Sequence, residues 1–191
     1  EVSLGKEELV NKFAEMLTAE TGIVYRAKNN DQALEKLTEI AKQEGLKSVM
    51  VSTDNVVTSF DLPAWGNKMG VKVMSPKDFK GRDDFKDAVF DRVEAGITGV
   101  DFAVAESGTL GLNHDKDQAR LISLAPILHI AIVPVERVFP VYEPVIERVF
   151  KKEKFPSQFV FITGPSMTGD IQGHLFKGMH GPRRVIVILV G

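Results

Sequence analysis

Three short polar turns carry the residue types that chemistry needs. Glu106-Ser107-Gly108-Thr109 follows directly on an apolar run, Phe102 to Ala105. A carboxylate and two hydroxyls therefore stand where α/β sheets place ligand-contacting groups, although the same tetrapeptide also reads as a hairpin with a solvated glutamate. Gly164-Pro165-Ser166-Met167-Thr168-Gly169-Asp170 follows a second apolar run, Gln158 to Thr163. Ser166 and Thr168 either cap free backbone N–H groups or join them in receiving an anion, Pro165 stiffens the turn, and Asp170 answers a helix dipole without any ligand. His180-Gly181-Pro182-Arg183 precedes the last apolar run. Arg183 suits a carboxylate or phosphate, and His180 is the group whose ordinary pKa lies near neutrality, as a base for proton abstraction requires. Arg120 reads either as half of a surface ion pair or as an anion clamp.

The elements that must hold these turns alternate along the chain. Lys6 to Glu20 spaces Leu9, Val10, Phe13 and Leu17 on one helical face. Gly22 to Arg26 is a short strand. A helix capped at Asn30 or Asp31 runs to a stop at Gly45, and Val49 to Ser52 is the next strand. Leu62 to Met69 is a short helix and Val71 to Met74 a strand. Asp84 to Glu94 forms a helix ending at Gly96, and the strand from Phe102 follows. One or two helical turns over Gln118 to Leu124 lead to a buried strand over Ile127 to Val133. Pro144 to Lys152 is a helix with proline in its first turn. The end of the chain reads as strand, turn, helix over Ile171 to Gly178, and strand, with both strands apolar at successive residues as in a parallel sheet covered on both faces. The whole is α/β, a single-domain, mainly parallel twisted sheet with helices on both faces. The domain spans 1–191, and the first helix, roughly 6–20, has the option of packing as an appendage.

Composition removes several function classes. A net charge of −2 over 191 residues leaves no electrostatic footprint for nucleic acid. With no cysteine, the chain has no disulfide and no thiolate for an iron–sulfur or zinc site. The longest apolar stretch, Leu121 to Val135, is broken by Pro126, His129 and Pro134 and is too short to cross a bilayer. Together with the lack of a signal-peptide pattern, this points to the cytoplasm. The dinucleotide and P-loop glycine patterns are both absent. Gly164 to Gly169 misses the G-x-S-x-G spacing by one residue, which argues against a serine hydrolase using His174 or His180 as base. The four histidines have no paired metal-ligand spacing. His129 reads as a core residue, and His174, four residues after Asp170, as its hydrogen-bond partner.

Taken together, three ordered blocks resemble the LUD-domain family. They are Gly96 to Leu110 with its Glu106-Ser107-Gly108-Thr109; Ala119-Arg120 to Pro126 with His129-Ile130; and Thr163-Gly164-Pro165-Ser166 to Ile171 followed by Gly178-Met-His-Gly-Pro-Arg183. The resemblance is close over the second half of the chain and rests on the order of elements over the first. It implies a fold akin to the NagB/RpiA/CoA-transferase and formyltetrahydrofolate cyclo-ligase group. It also implies the role of the C component of a lactate-utilisation system, which oxidises L-lactate to pyruvate with partner subunits. Iron–sulfur clusters would belong to those partners and no cofactor to this chain. On that reading a small organic anion binds at the strand-end loops, with Glu106 and His180 as candidate catalytic groups. The family's loop usually reads G-P-S-R-T-A-D-I-E, whereas this chain has Met167, Gly169 and Gln172; if that arginine binds an anion in relatives, the contact is missing here. Two alternatives remain open: a stand-alone enzyme of the CoA-transferase or cyclo-ligase type, and a structural partner with no ligand of its own.

Overall fold

The computed structural model describes residues 5–151, 155–171 and 174–191. Helix α1 (Lys6–Ala19) precedes strand β1 (Ile23–Ala27); α2 (Asn30–Glu44) and β2 (Ser48–Val51) follow, then α3 (Leu62–Met69) and β3 (Lys72–Met74), then α4 (Arg82–Asp91) and β4 (Ala95–Gly99). Local chemistry explains the boundaries. Asn29 caps α2 by accepting from the Gln32 N–H, and Gly45 ends it in the left-handed conformation at φ 64°. The Asp61 side chain, a proline in the first turn and Gly70 at φ 69° bracket α3 in the same way.

Strands β5 (Phe102–Val104) and β6 (Thr109–His114) come next, followed by α5 (Leu121–Leu124), β7 (Leu128–Pro134), β8 (Val138–Phe139) and α6 (Glu143–Phe150). The chain closes with β9 (Gln158–Ile162), β10 (Met167–Gly169), β11 (Leu175–Lys177) and β12 (Arg184–Val190). Lys152, expected at the end of the sixth helix, lies outside the described residues.

Six strands in the order β1-β12-β7-β4-β2-β3 form one sheet, and every pairing in it is parallel. One face packs on α2 and α3 through Leu37, Ile40, Leu62 and Trp65. The other face packs on α1 and on a second sheet of order β8-β5-β6-β9. The expected mainly parallel sheet with helices on both faces is therefore present. Helix α1 drives Val10, Phe13 and Leu17 into the layer between the sheets, each buried side chain contributing roughly 2 kcal/mol. Among the described residues no helix is long and apolar enough to cross a membrane.

Three expectations need correction. Gly96 does not stop a helix: it lies inside β4, where a Cβ would stand 1.8 Å from the Ile122 carbonyl oxygen, so α5 rests directly on the strand's backbone. Strand β9 is not in the parallel sheet. It pairs antiparallel with β6 at the edge of the second sheet, and none of its residues is fully buried. Among the described residues no helix follows Asp170; β10 and β11 pair antiparallel, with Thr168 opposite Phe176. Gln172 lies outside the described residues.

Candidate functional site

The second sheet decides where the polar turns end up. Strand β5 leaves the carboxyl end of β4 and runs back across the main sheet, so the β5–β6 turn reaches that sheet's amino edge. There Gly108, at φ 65°, lies so close to α1 that a Cβ would come 2.2 Å from the Leu17 backbone nitrogen. Gly164, at φ 78°, lies against the same helix end, where a Cβ would stand 2.5 Å from the Glu20 carbonyl oxygen. Both turns thus need glycine to sit on the turn from α1 into β1. Lys177 on β11 adds a 2.9 Å hydrogen bond to the Thr21 hydroxyl.

Between the two glycines, four hydroxyls meet. Ser107 Oγ lies 2.7 Å from Thr109 Oγ1 and 2.7 Å from the Tyr142 phenol, and Thr109 Oγ1 lies 2.8 Å from that phenol. Thr163 Oγ1 adds a fourth contact, 2.6 Å from Thr109 Oγ1. Thr109 is fully buried and Thr163 exposed, so the cluster leads from the interior to the surface. Four hydroxyls supply four protons for four contacts, and each oxygen also accepts, so the cluster can satisfy itself or turn one O–H toward a ligand. Glu106 is exposed beside it, accepting a 3.3 Å hydrogen bond from the Tyr142 N–H. Tyr142 was not foreseen from sequence. Its one signal is its place just before the proline-started helix α6, and that alone does not reveal the partner turns.

The third turn joins from the other side. The Ser166 N–H donates to the Pro182 carbonyl at 2.9 Å, the Gly178 N–H donates to the Ser166 carbonyl at 2.9 Å, and a Cβ on Gly181 would stand 3.1 Å from the Ser166 Cβ. Pro165 is buried behind this contact. His180, Gly181 and Arg183 line a recess of about 430 Å³ beside Leu121, Leu124 and Ile127. The Arg183 stem packs over Gly178, where a Cβ would lie 2.0 Å from its Cγ. The Arg183 N–H donates to the Ile127 carbonyl at 2.8 Å, fixing the turn to the start of β7.

The amino edge therefore gathers Glu106, Ser107, Gly108, Thr109, Thr163, Gly164, Pro165, Ser166, Gly181, His180 and Arg183 along one contiguous ridge. Glu106 does not line the recess that holds His180 and Arg183; the hydroxyl cluster and Ser166 stand between them. Thr168 and Asp170 sit on the β10–β11 hairpin. Asp170 accepts from the His174 N–H at 2.8 Å and faces its imidazole at 3.3 Å, which makes it a turn-stabilising residue. Met167 begins β10 half-exposed. Arg120 does not join the ridge. Its guanidinium donates to Gln158 at 2.7 Å, at the end of β9 opposite Thr163.

A family model for the LUD domain matches residues 10–190. The chain belongs to the LUD-domain family. This LUD-domain chain is 30% identical over 162 residues to Lactate utilization protein C of Anoxybacillus flavithermus, a match covering 85% of the chain and 71% of that relative. It is also 30% identical over 192 residues to Lactate utilization protein C 1 of Bacillus mycoides, covering 98% of the chain and 81% of the relative. A solved structure of a DUF162 family protein from Deinococcus radiodurans superposes with a TM-score of 0.69 at 25% identity, over 98% of this chain and 99% of that one.

Proposed function

We propose that this LUD-domain protein serves lactate utilisation as one subunit of a system that oxidises L-lactate to pyruvate, holding a small organic anion at the amino-edge ridge. The observation that carries the reading is the recess where Arg183 and His180 stand next to the Ser166 turn. Its volume of about 430 Å³ accommodates a three-carbon carboxylate with room for a partner group. Arg183 pairs with the carboxylate, the Ser166 hydroxyl holds an oxygen, and His180 receives the hydroxyl proton. Oxidation of the hydroxy acid releases two electrons and two protons. Partner subunits with iron–sulfur clusters would take up the electrons, since this chain has no cysteine with which to hold one, and the second proton would go to solvent. The relatives' printed names support the lactate assignment. The β10–β11 hairpin beside His180 supports a partner surface: Leu175, Phe176 and Met179 are 68%, 51% and 65% exposed, an unusual run of apolar area for a lone subunit. The cytoplasm is the compartment this role requires.

The test is binding of L-lactate and pyruvate, by calorimetry, to the intact chain and to Arg183→Ala and Ser166→Ala. Loss of at least tenfold in both variants is expected; unchanged affinity would remove the recess from the reaction. A second reading follows from Glu106 being exposed on its turn. Its carboxylate could attack an acyl-CoA thioester, forming an enzyme-bound mixed anhydride and releasing the CoA thiolate. Hydroxylamine trapping followed by intact mass distinguishes it, since only that route leaves a modified Glu106.

A further inference from the structure

The carboxyl edge of the six-stranded sheet carries a second crevice, of about 640 Å³, opposite the edge that holds the polar turns. It opens where the connections of neighbouring strands part. The chain leaving β1 turns to the α2 face and the chain leaving β7 turns to the face of the second sheet, with the end of β12 between them. That is the switch point at which open α/β sheets form ligand crevices.

We infer that this crevice binds a mononucleotide-sized phosphate ester, with its three kinds of lining matched to phosphate, ribose and base. Lys28 follows β1 and Arg137 follows β7. Two strand spacings of about 4.8 Å put their backbones roughly 10 Å apart across β12, a span that two long cationic side chains close around one phosphate. The Arg137 guanidinium is held in place by neutral groups, the Val100 carbonyl at 2.8 Å and the Asn55 side-chain oxygen at 3.3 Å, so its charge is oriented but not cancelled. Lys28 has no carboxylate partner among the described residues. Asp31 and Glu136 stand on the same rim. Carboxylates repel a phosphate but accept from vicinal hydroxyls, which a ribose supplies and a simple organic anion does not. The floor is apolar, built from Val56, Phe60, Ile132 and Pro134, and suits a flat base. The start of α2 does not supply the phosphate site. Asn29 already accepts the Gln32 N–H at 3.0 Å and Asp31 puts a carboxylate in the first turn, so the two cations carry the phosphate. A three-carbon acid would leave most of this volume to water.

The experiment titrates the full chain with AMP, adenosine and inorganic phosphate, followed by calorimetry and by amide chemical shifts. AMP is expected to saturate, with shifts at Asn29, Asn55 and Gly191 and none at Ser166 or Gly181, and to bind at least tenfold tighter than either fragment. Lys28→Glu should weaken AMP at least tenfold. Should that variant fail to fold, Asp31→Asn with Glu136→Gln decides, by erasing the preference for AMP over its 2′-deoxy counterpart. Absence of saturation at millimolar AMP, phosphate binding as tightly as AMP, or shifts at the amino edge instead would each overturn the assignment.

Discussion

The two sheets of this molecule are built to opposite specifications. In the six-stranded sheet, β12 runs Val185 to Leu189 with every side chain buried, and both of its neighbours are parallel strands. In the four-stranded sheet, β9 has no fully buried residue and has a partner on one side only. Yet two of the three polar turns belong to the thinner sheet. Glu106 and Ser107 sit on the turn after β5, and Thr163 and Ser166 follow β9. The main sheet acts as an anvil: it fixes α1, and α1 fixes both glycine turns. Strand β5 runs back across the main sheet, so the β5–β6 turn opens at the amino edge, opposite the edge where doubly wound folds hold their ligands.

If that division is right, damage to the main sheet should be far costlier than damage to the layer above it. The largest effect is expected from Gly96→Ala. A methyl 1.8 Å from the Ile122 carbonyl oxygen meets backbone on backbone, and neither β4 nor α5 can retreat without opening the core. A loss of more than about 4 kcal/mol is expected, read as absence of a cooperative urea transition. Retention of a normal transition would show that α5 floats on the sheet.

The next effect tests the seam between the layers. His129 is fully buried beside Thr98, and it shares its face of β7 with Ala131 and Val133, which pack on the second sheet. Burial, with a smaller push from His114, lowers its pKa to about 3, and burial also lowers that of His114. The unfolded chain therefore binds protons that the folded chain refuses. Stability is complete above the unfolded value of 6.5 and falls as pH drops from there toward 3, by up to the order of 4 kcal/mol. Urea midpoints for His129→Gln should show a flatter slope across that window. An unchanged slope would move the acid sensitivity to other groups.

Gly108→Ala comes third, at about 3 kcal/mol, because it combines a left-handed φ of 65° with a contact against the Leu17 backbone. Amide exchange separates the layers here: protection should fall at Leu17 and Thr109 and persist in β7 and β12. Loss everywhere would mean that the sheets unfold as one unit.

The elements with local causes are legible in the sequence, and those with distant causes are not. The bounds of α3 follow from Asp61, Pro63 and Gly70, all within the segment. Strand β4 was hidden because its glycines answer remote neighbours: Gly96 to Ile122, and Gly99 to Asp54, whose carboxylate oxygen would lie 2.1 Å from an added Cβ. The segment Ile171 to Gly178 reads as a helix because Ser166, Thr168 and Asp170 before it are residues that cap helix starts, whereas in the structure Leu175–Lys177 pair with Met167–Gly169. The polar turns were visible as residues, but their meeting was not, since it depends on β5 reversing over the sheet. Tyr142 shows the same limit, being 33 residues from Thr109 and 2.8 Å from its hydroxyl.

A smaller effect separates structure from chemistry within the ridge. Tyr142→Phe removes one oxygen shared by Ser107 and Thr109, costing about 1–2 kcal/mol. The same change should weaken anion binding if the cluster turns an O–H toward the ligand. Stability lost with affinity intact would make the cluster a clamp between turns and no more.

The smallest effect is the sharpest boundary on where the site ends. Arg120 and Thr163 mark opposite ends of β9, five residues or roughly 16 Å apart along the strand. The Arg120 contact to Gln158 is exposed, so Arg120→Ala should change stability by less than about 0.5 kcal/mol. Over that distance in water its charge is largely screened from the ridge, and lactate affinity should stay within twofold of the parent at physiological salt. A tenfold loss would place a ligand along the length of β9 instead of at its end, and the exposed edge of the second sheet would then be part of the site.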